Sequence, residues 1–117
     1  MGGEIKMKIT IKIDRDTDLK MLVSILIPDI DIDIIWTCSA RSLLEGTLAY
    51  CIATNQESIS YIDTMTKWEY SKLKEELTGI EGAETALQYL SASENQVANY
   101  MSNFASKVQS IINHERG

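Results

Sequence analysis

Hydrophobic and polar positions alternate in a short stretch near the start of the chain. Within residues 5–13 every second side chain is apolar, and mainly lysines stand between: Ile5, Met7, Ile9, Ile11 and Ile13 against Lys6, Lys8, Thr10 and Lys12. A period of two is typical of a strand with one buried face and one wet face. We therefore predict a β-strand near residues 5–13.

A second alternating stretch covers residues 30–38. Its apolar positions are Ile30, Ile32, Ile34, Trp36 and Cys38, and Asp29, Asp31 and Asp33 occupy the first positions between them. The same period predicts a second half-buried strand, which places the Cys38 thiol in the interior. If the two strands pair, each lysine that lies opposite an aspartate stabilises the sheet by about 0.2–1 kcal/mol.

Helical periods separate and follow these stretches. Leu19, Leu22, Val23 and Leu26 predict a short helix, which Pro28 stops because it removes a backbone donor. From Ser39 onward apolar positions recur every three or four residues, which indicates a long amphipathic helix. These positions are Leu44, Leu48, Cys51, Asn55, Ile59 and Ile62.

The C-terminal half has the signals of three further helices. Thr66 and Glu69 have the spacing of a capping box, which predicts a break at residues 63–65 and a third helix with Gly79 as the first residue after its end. A short helix is predicted over residues 83–89. Ser91 and Glu94 form a second capping box that opens a last helix to His114.

These elements predict an α+β fold in a single domain, residues 1–117. A small antiparallel sheet, with strands near 5–13 and 30–38, packs on helices and is followed by a helical C-terminal half. A β-α-β-α unit covers residues 5–62, and a helical extension covers residues 63–117. Two strands make a poor sheet by themselves, so we expect a homodimer that completes it.

The chain is acidic, with a net charge of −6 and a pI near 4.7. Phosphate binding depends on clustered Lys and Arg, so the composition argues against direct binding of nucleic acid or of an anionic membrane. We expect no signal peptide, and the apolar runs of the sequence are too short to span a bilayer. Two cysteines in apolar patterns suit reduced, buried thiols, so we predict a cytoplasmic protein.

Candidate chemistry is sparse. Cys38 precedes a predicted helix N-terminus that could activate its thiol, but its register places it in the buried set, and His114 is the only histidine. Three aspartates, Asp29, Asp31 and Asp33, could attract a hard cation, although pairing with lysines explains them better. No nucleotide-binding glycine motif is present. We therefore expect no catalytic residue, cofactor or metal.

Apolar faces on the second and last helices are predicted either to pack in the subunit core or to form an interface. Gly46 stands alone in a helical pattern, which indicates a close approach of another helix. The interface residues that we predict are Leu44, Gly46, Leu48, Cys51 and Ile52 on the second helix, and Val97, Met101, Phe104 and Val108 on the last.

The segment SLLEGTLAY, residues 42–50, resembles the opening of the long helix in the Pcc family, the small dimerising subunit of the KEOPS tRNA-modification complex. Its matching positions are Ser42, Leu44, Gly46 and Thr47, and the stretches KITIKID and LIPD resemble the family's beginning. The resemblance covers residues 8–62. Glu45 stands where the family has arginine, which places any tRNA contact here in doubt. The resemblance implies a non-catalytic dimerisation module that docks on a larger subunit.

The sequence as a whole indicates a non-enzymatic protein that acts through protein–protein contacts. Its most concrete form is a Pcc-like subunit of an assembly that makes threonylcarbamoyl-adenosine in tRNA. One alternative is a small acidic adaptor or inhibitor, including one of viral origin, that binds a partner protein. The other alternative is a thiol-dependent enzyme that uses Cys38.

Overall fold

Helices account for all the regular secondary structure in the part of the chain that the structure describes. The structure is a computed structural model and describes residues 16–56 and 59–116. Its elements are α1 (Leu19–Leu26), α2 (Ile34–Ala53), α3 (Ile59–Thr66), α4 (Tyr70–Leu77), α5 (Glu84–Leu90) and α6 (Glu94–Arg116). The predicted α+β fold with an antiparallel sheet is therefore wrong, because the described residues form helices and no sheet.

The predicted strand at residues 30–38 is replaced by a link and the first turns of α2. Asp33 is the N-cap of α2, and its carboxylate accepts a hydrogen bond from the backbone N–H of Ile35 at 3.1 Å. Aspartate is a strong N-cap residue, so the end of the Asp–Ile alternation starts a helix. The other predicted strand, residues 5–13, lies outside the described residues.

The predicted short helix before Pro28 is present as α1 and ends at Leu26. The Asp18 side chain caps α1 by accepting from the backbone N–H of Met21 at 3.1 Å. Ile27 follows α1 as the C-cap and is buried, and Pro28 begins the extended link to α2. Capping and the missing proline donor thus set both ends of this helix.

The long helix predicted from Ser39 to Ile62 is two helices. α2 ends at Ala53, and Asn55 has a positive φ of 60°, a backbone conformation that asparagine tolerates better than most residues. The hydroxyl of Thr54 donates to the carbonyl of Tyr50 at 2.9 Å, which closes the last turn. The apolar period continues into α3, but the left-handed residue changes the direction of the chain between the two helices.

Both predicted capping boxes are misplaced. Thr66 is the last residue of α3 and donates to the carbonyl of Asp63, and α4 begins after Glu69 with no side-chain cap. The serine that caps α6 is Ser93, whose Oγ accepts from the backbone N–H of Gln96 at 3.4 Å. Gly79 is confirmed as the residue after α4 that needs a positive φ, which is 85°.

α2 is the central helix, and it packs against each of the other five. It has buried residues around its whole circumference, as expected of a helix enclosed by others. Its buried hydroxyls are satisfied locally: Thr47 donates to the carbonyl of Leu44, and Ser39 to that of Trp36. The buried residues of α2 are Thr37, Ser39, Ala40, Leu43, Leu44, Gly46, Thr47, Leu48, Ala49 and Cys51.

Burial of the Cys51 thiol in this core makes stability depend on alkaline pH. Desolvation raises the pKa of Cys51 from 9.0 to about 11. The unfolded chain loses this proton near pH 9 while the folded chain keeps it, so we expect the free energy of unfolding to fall as the pH rises from 9 to about 11. Urea titrations across this range measure the decline.

A Cys51→Ala chain is the control for that decline. Alanine leaves a cavity and lowers stability at every pH, but it cannot ionise, so the slope between pH 9 and 11 should flatten. Some slope should remain, because burial also raises the pKa of Tyr50. Equal slopes for the two chains would contradict the assignment to Cys51.

Candidate functional site

The predicted interface residues lie in the interior of a single chain. α2 and α6 pack directly against each other, and the two predicted apolar faces contribute to the same core. Ile52 and Met101 are partly buried. The fully buried members are Leu44, Gly46, Leu48, Cys51, Val97, Phe104 and Val108. These side chains hold the chain's own helices together, and in this conformation they offer little surface to a second protein.

Gly46 marks a close helix approach, as its isolated position indicates. A Cβ atom at Gly46 would lie 2.5 Å from the Cβ of Ala86 on α5 and 3.5 Å from Cδ1 of Leu77. Carbon atoms pack at about 3.5–4.0 Å, so no side chain fits here unless the helices move. The matching residue of the Pcc resemblance therefore has a packing role in this chain.

Cys38 is exposed, so the prediction that its thiol is buried is wrong. It is the fifth residue of α2, one turn beyond the N-terminus where the helix dipole would act on a thiol. Within residues 16–56 and 59–116, no group of three or more His, Cys, Asp or Glu side chains is arranged to hold a metal. No described buried polar side-chain atom lacks a hydrogen-bond partner. These findings supply no catalytic constellation around Cys38.

The two thiols should differ sharply in reactivity. A disulfide reagent should label the exposed Cys38 of the native protein rapidly and leave the buried Cys51 unreacted until the chain is unfolded. The amount of thiolate that the reagent releases, measured before and after denaturant is added, gives the number of reactive cysteines in the native and in the unfolded chain. A Cys38→Ser chain should show no rapid labelling, and rapid reaction of both thiols in the native protein would contradict the described packing.

The described large hydrophobic side chains that are exposed all lie between residues 21 and 34. We call this set the apolar surface. Its members keep 60% or more of their side chains open to solvent, and Ile32 is fully exposed. They are Met21, Ile25, Ile30, Ile32 and Ile34.

α1 contributes to the apolar surface because it is apolar on two sides. Leu19, Leu22, Val23 and Leu26 pack against the core, whereas Met21 and Ile25, four residues apart, share a side that faces solvent. A helix at the surface of a protein normally places polar residues on its outer side. Packing among the described residues therefore does not explain the exposed side of α1.

The link between α1 and α2 is held in place by specific contacts. Arg41 donates from Nε and Nη2 to the carbonyl of Ile27, at 2.9 and 2.7 Å. The Thr37 hydroxyl accepts from the backbone N–H of Asp31 at 2.8 Å and donates to its carboxylate at 2.9 Å. Lys107 of α6 lies 3.3 Å from the same carboxylate. Ile30 and Ile32 thus project from a backbone that is anchored on both sides.

The electrostatics of the link follow from these contacts. The hydrogen bond from Thr37 and the neighbouring Lys107 lower the pKa of the Asp31 carboxyl below its usual range. Asp29 and Asp33 are exposed, and neither forms an ion pair with another described residue. The apolar surface is therefore interleaved with negative charge that the described part of the chain does not neutralise.

Aromatic side chains cover another end of the core. Tyr50, Tyr61 and Trp68 have ring centroids 6.2–6.3 Å apart, and Lys72 Nζ lies 4.3 Å from the centroid of the Trp68 ring. All three rings are partly buried and pack on the core. The three rings therefore belong to the packing of this chain.

No family model, curated protein or solved structure matches the chain. The resemblance of residues 8–62 to the Pcc family therefore stays a prediction. Three of the residues on which it depends, Leu44, Gly46 and Thr47, are buried in α2 and contribute to packing. Among the described helices, none combines the length and the apolar character needed to cross a membrane.

The sequence pattern predicts that Ile30, Ile32 and Ile34 are buried, whereas the structure shows all three exposed. Alternation at residues 30–34 was attributed to the buried face of a strand, although the same alternation suits an extended link. One signal could have identified the surface earlier. Met21 and Ile25 fall outside the apolar stripe of α1, so they mark apolar side chains that the core does not need.

Proposed function

We propose that this chain is a non-catalytic interaction protein that binds a partner protein through the apolar surface. One observation carries the proposal: five large apolar side chains, 60–110% exposed, fall within 14 residues on α1, an anchored link and the start of α2. Single exposed hydrophobic residues are ordinary, but a group of them marks a contact site. Burial of each side chain would favour binding by about 1.5–3 kcal/mol.

Charge complementarity indicates what the partner presents. Asp29 and Asp33 alternate with the exposed isoleucines, and the whole chain carries a net charge of −6. A partner segment that combines apolar side chains with lysine or arginine would neutralise these carboxylates while it covers the isoleucines. The same charge disfavours nucleic acid as the ligand.

The homodimer and the cytosolic location remain parts of this proposal. The expectation of a dimer depended on an incomplete sheet, and the described residues contain no sheet, so that basis is lost. Light scattering across a dilution series tests the dimer. A cytosolic location is supported by two cysteines that are both free thiols.

A double substitution on the apolar surface tests the proposal. Ile30→Asp/Ile32→Asp removes two exposed apolar side chains and adds charge, so we expect a partner to bind about a hundredfold more weakly or worse, from the lost burial of two isoleucines. Tagged wild-type and variant chains are mixed with native lysate, and the bound proteins are quantified by mass spectrometry. The partner should be recovered with the wild type and lost with the variant.

The matched control is Thr85→Asp/Ser102→Asp, which adds the same charge at exposed positions of α5 and α6. This control should recover the partner as the wild type does. If the set of bound proteins is the same for all three chains, the apolar surface is not the contact site.

A further inference from the structure

The link between α1 and α2 presents unbonded main-chain groups beside its exposed isoleucines. Residues 28–31 run as extended chain, and the backbone bends at Ile32 and Asp33 to enter α2. Among the described residues, none forms a hydrogen bond with the main-chain N–H or C=O of Ile30 or of Ile32. An extended stretch with unpaired N–H and C=O groups is a place where a second extended chain can pair.

The Thr37 hydroxyl determines which way these main-chain groups point. It accepts a hydrogen bond from the N–H of Asp31, so that N–H faces α2. The peptide bond between Ile30 and Asp31 is trans and planar, so the Ile30 carbonyl points away from Thr37. Neighbouring residues of an extended chain present their N–H groups to opposite sides, so the N–H groups of Ile30 and Ile32 also point away from Thr37. We call the Ile30 N–H, the Ile30 C=O and the Ile32 N–H the link edge.

Contacts on both sides of the link hold the link edge in one direction. Arg41 donates to the carbonyl of Ile27, Lys107 lies 3.3 Å from the Asp31 carboxylate, and Asp33 caps α2. A segment that binds to an ordered edge does not lose affinity to the ordering of that edge.

We infer that the partner contributes an extended segment that pairs antiparallel with the link edge, with apolar side chains over the isoleucines and basic side chains beside Asp29 and Asp33. In antiparallel pairing, the residue opposite Ile30 exchanges two main-chain hydrogen bonds with it, and the two side chains lie on the same face. The apolar residues of the segment are therefore the ones that bond, while the N–H groups of its basic residues point away. This inference rests on the proposed function, because it states the form in which the partner meets the apolar surface.

A synthetic peptide in which lysine and valine alternate, acetyl-KVKVKVK-amide, is the probe. It is added to the ¹⁵N-labelled full chain up to millimolar concentration while NMR spectra are recorded. We expect the amide signals of Ile30 and Ile32 to shift and their N–H groups to exchange more slowly with solvent, because both then donate to the probe. A peptide of the same composition without alternation, acetyl-KKKKVVV-amide, should not slow this exchange. Unchanged exchange at both amides with the alternating probe would overturn the inference.

Methylation of the peptide nitrogens distinguishes strand pairing from other ways of binding. One derivative of the probe carries N-methyl groups on its valines and another carries them on its lysines. We expect the first to lose binding, since a methyl group replaces the hydrogen that bonds to the Ile30 carbonyl, and the second to bind as the probe does. Equal binding of the two derivatives, or the reverse order, would overturn the inference.

Thr37→Val tests the role of the hydroxyl that orients the link edge. Valine has nearly the shape of threonine but cannot bond to Asp31, so we expect the probe to bind about tenfold more weakly. The control Thr47→Val makes the same exchange at another buried position of α2, where the hydroxyl donates to the carbonyl of Leu44. It should bind the probe as the wild type does. Equal affinity of the two variants for the probe would overturn the role of Thr37.

The probe experiment and the lysate comparison can fail separately. If the probe does not pair but a bound protein is lost with Ile30→Asp/Ile32→Asp, the proposed function stands and the inference of an extended segment fails. If the probe pairs but no bound protein depends on the two isoleucines, the proposed function fails, while the pairing at the link edge stands.

Discussion

A Leu48→Asp chain should fail to reach the native fold. Leu48 is 3% exposed and belongs to the core around α2, so aspartate there would be a buried carboxylate without a partner. Such a charge costs about 3–5 kcal/mol, a large share of the roughly 5–15 kcal/mol that stabilises a typical domain. Circular dichroism during heating should show a lost or strongly lowered melting transition.

The matched control is Ile30→Asp, the same kind of change at a side chain that is 68% exposed. Its effect on the free energy of unfolding should stay within about 0.5 kcal/mol. If Leu48→Asp melted at the temperature of Ile30→Asp, then α2 would not be enclosed as the structure describes.

Gly46→Ala should also destabilise the protein, against the intrinsic preference of helices for alanine. The exchange gains about 1 kcal/mol in helix propensity, but the new Cβ would lie 2.5 Å from the Cβ of Ala86. Overpacking of this kind typically costs about 1–3 kcal/mol, and the rigid Ala86 Cβ cannot move aside as a long side chain could. We expect a net loss of stability in urea titrations.

A second substitution identifies the cause of that loss. Ala86→Gly removes the atom that Gly46→Ala would strike, so the double variant should be more stable than the sum of the two single effects predicts. Additive effects would show that α2 and α5 do not meet at these two residues.

The positions of several helices follow from local chemistry that the sequence displays. The end of α1 is predicted correctly because Pro28 limits the helix, whereas the sequence pattern does not identify Asp18 as its N-cap. Gly79 is correctly placed after α4, because its positive φ is one that glycine adopts without strain. The last helix is recognised by its apolar period, although its cap is Ser93, two residues after the predicted Ser91.

The predicted fold class is wrong because alternation over a few residues occurs both in strands and in extended links. The aspartates at 29–33 alternate with isoleucines as a strand would, but Asp33 caps α2 and Asp31 is bound by Thr37 and Lys107. The partners of Asp31 lie 6 and 76 residues away in sequence. Side-chain contacts at that range are not visible in a local period, so the pattern alone could not choose between strand and link.

The candidate site was missed for the same reason. Ile30, Ile32 and Ile34 were assigned to a buried strand face, and they are exposed. Leu44, Leu48 and Phe104 are predicted as residues of the subunit core or of an interface, and they lie in the core of one chain. An apolar face has the same pattern whether it packs on its own chain or on another, so only the folded arrangement distinguishes the two cases.

The central claim is that the apolar surface meets another protein, and a photo-crosslinker at its most exposed residue tests this most directly. A photoreactive amino acid replaces Ile32 in one chain and Glu75, an exposed residue of α4, in a control. After irradiation in cells, the chain modified at position 32 should form an adduct with a second polypeptide that the control does not form. Adducts at position 32 that are no more abundant than those at position 75 would contradict the claim.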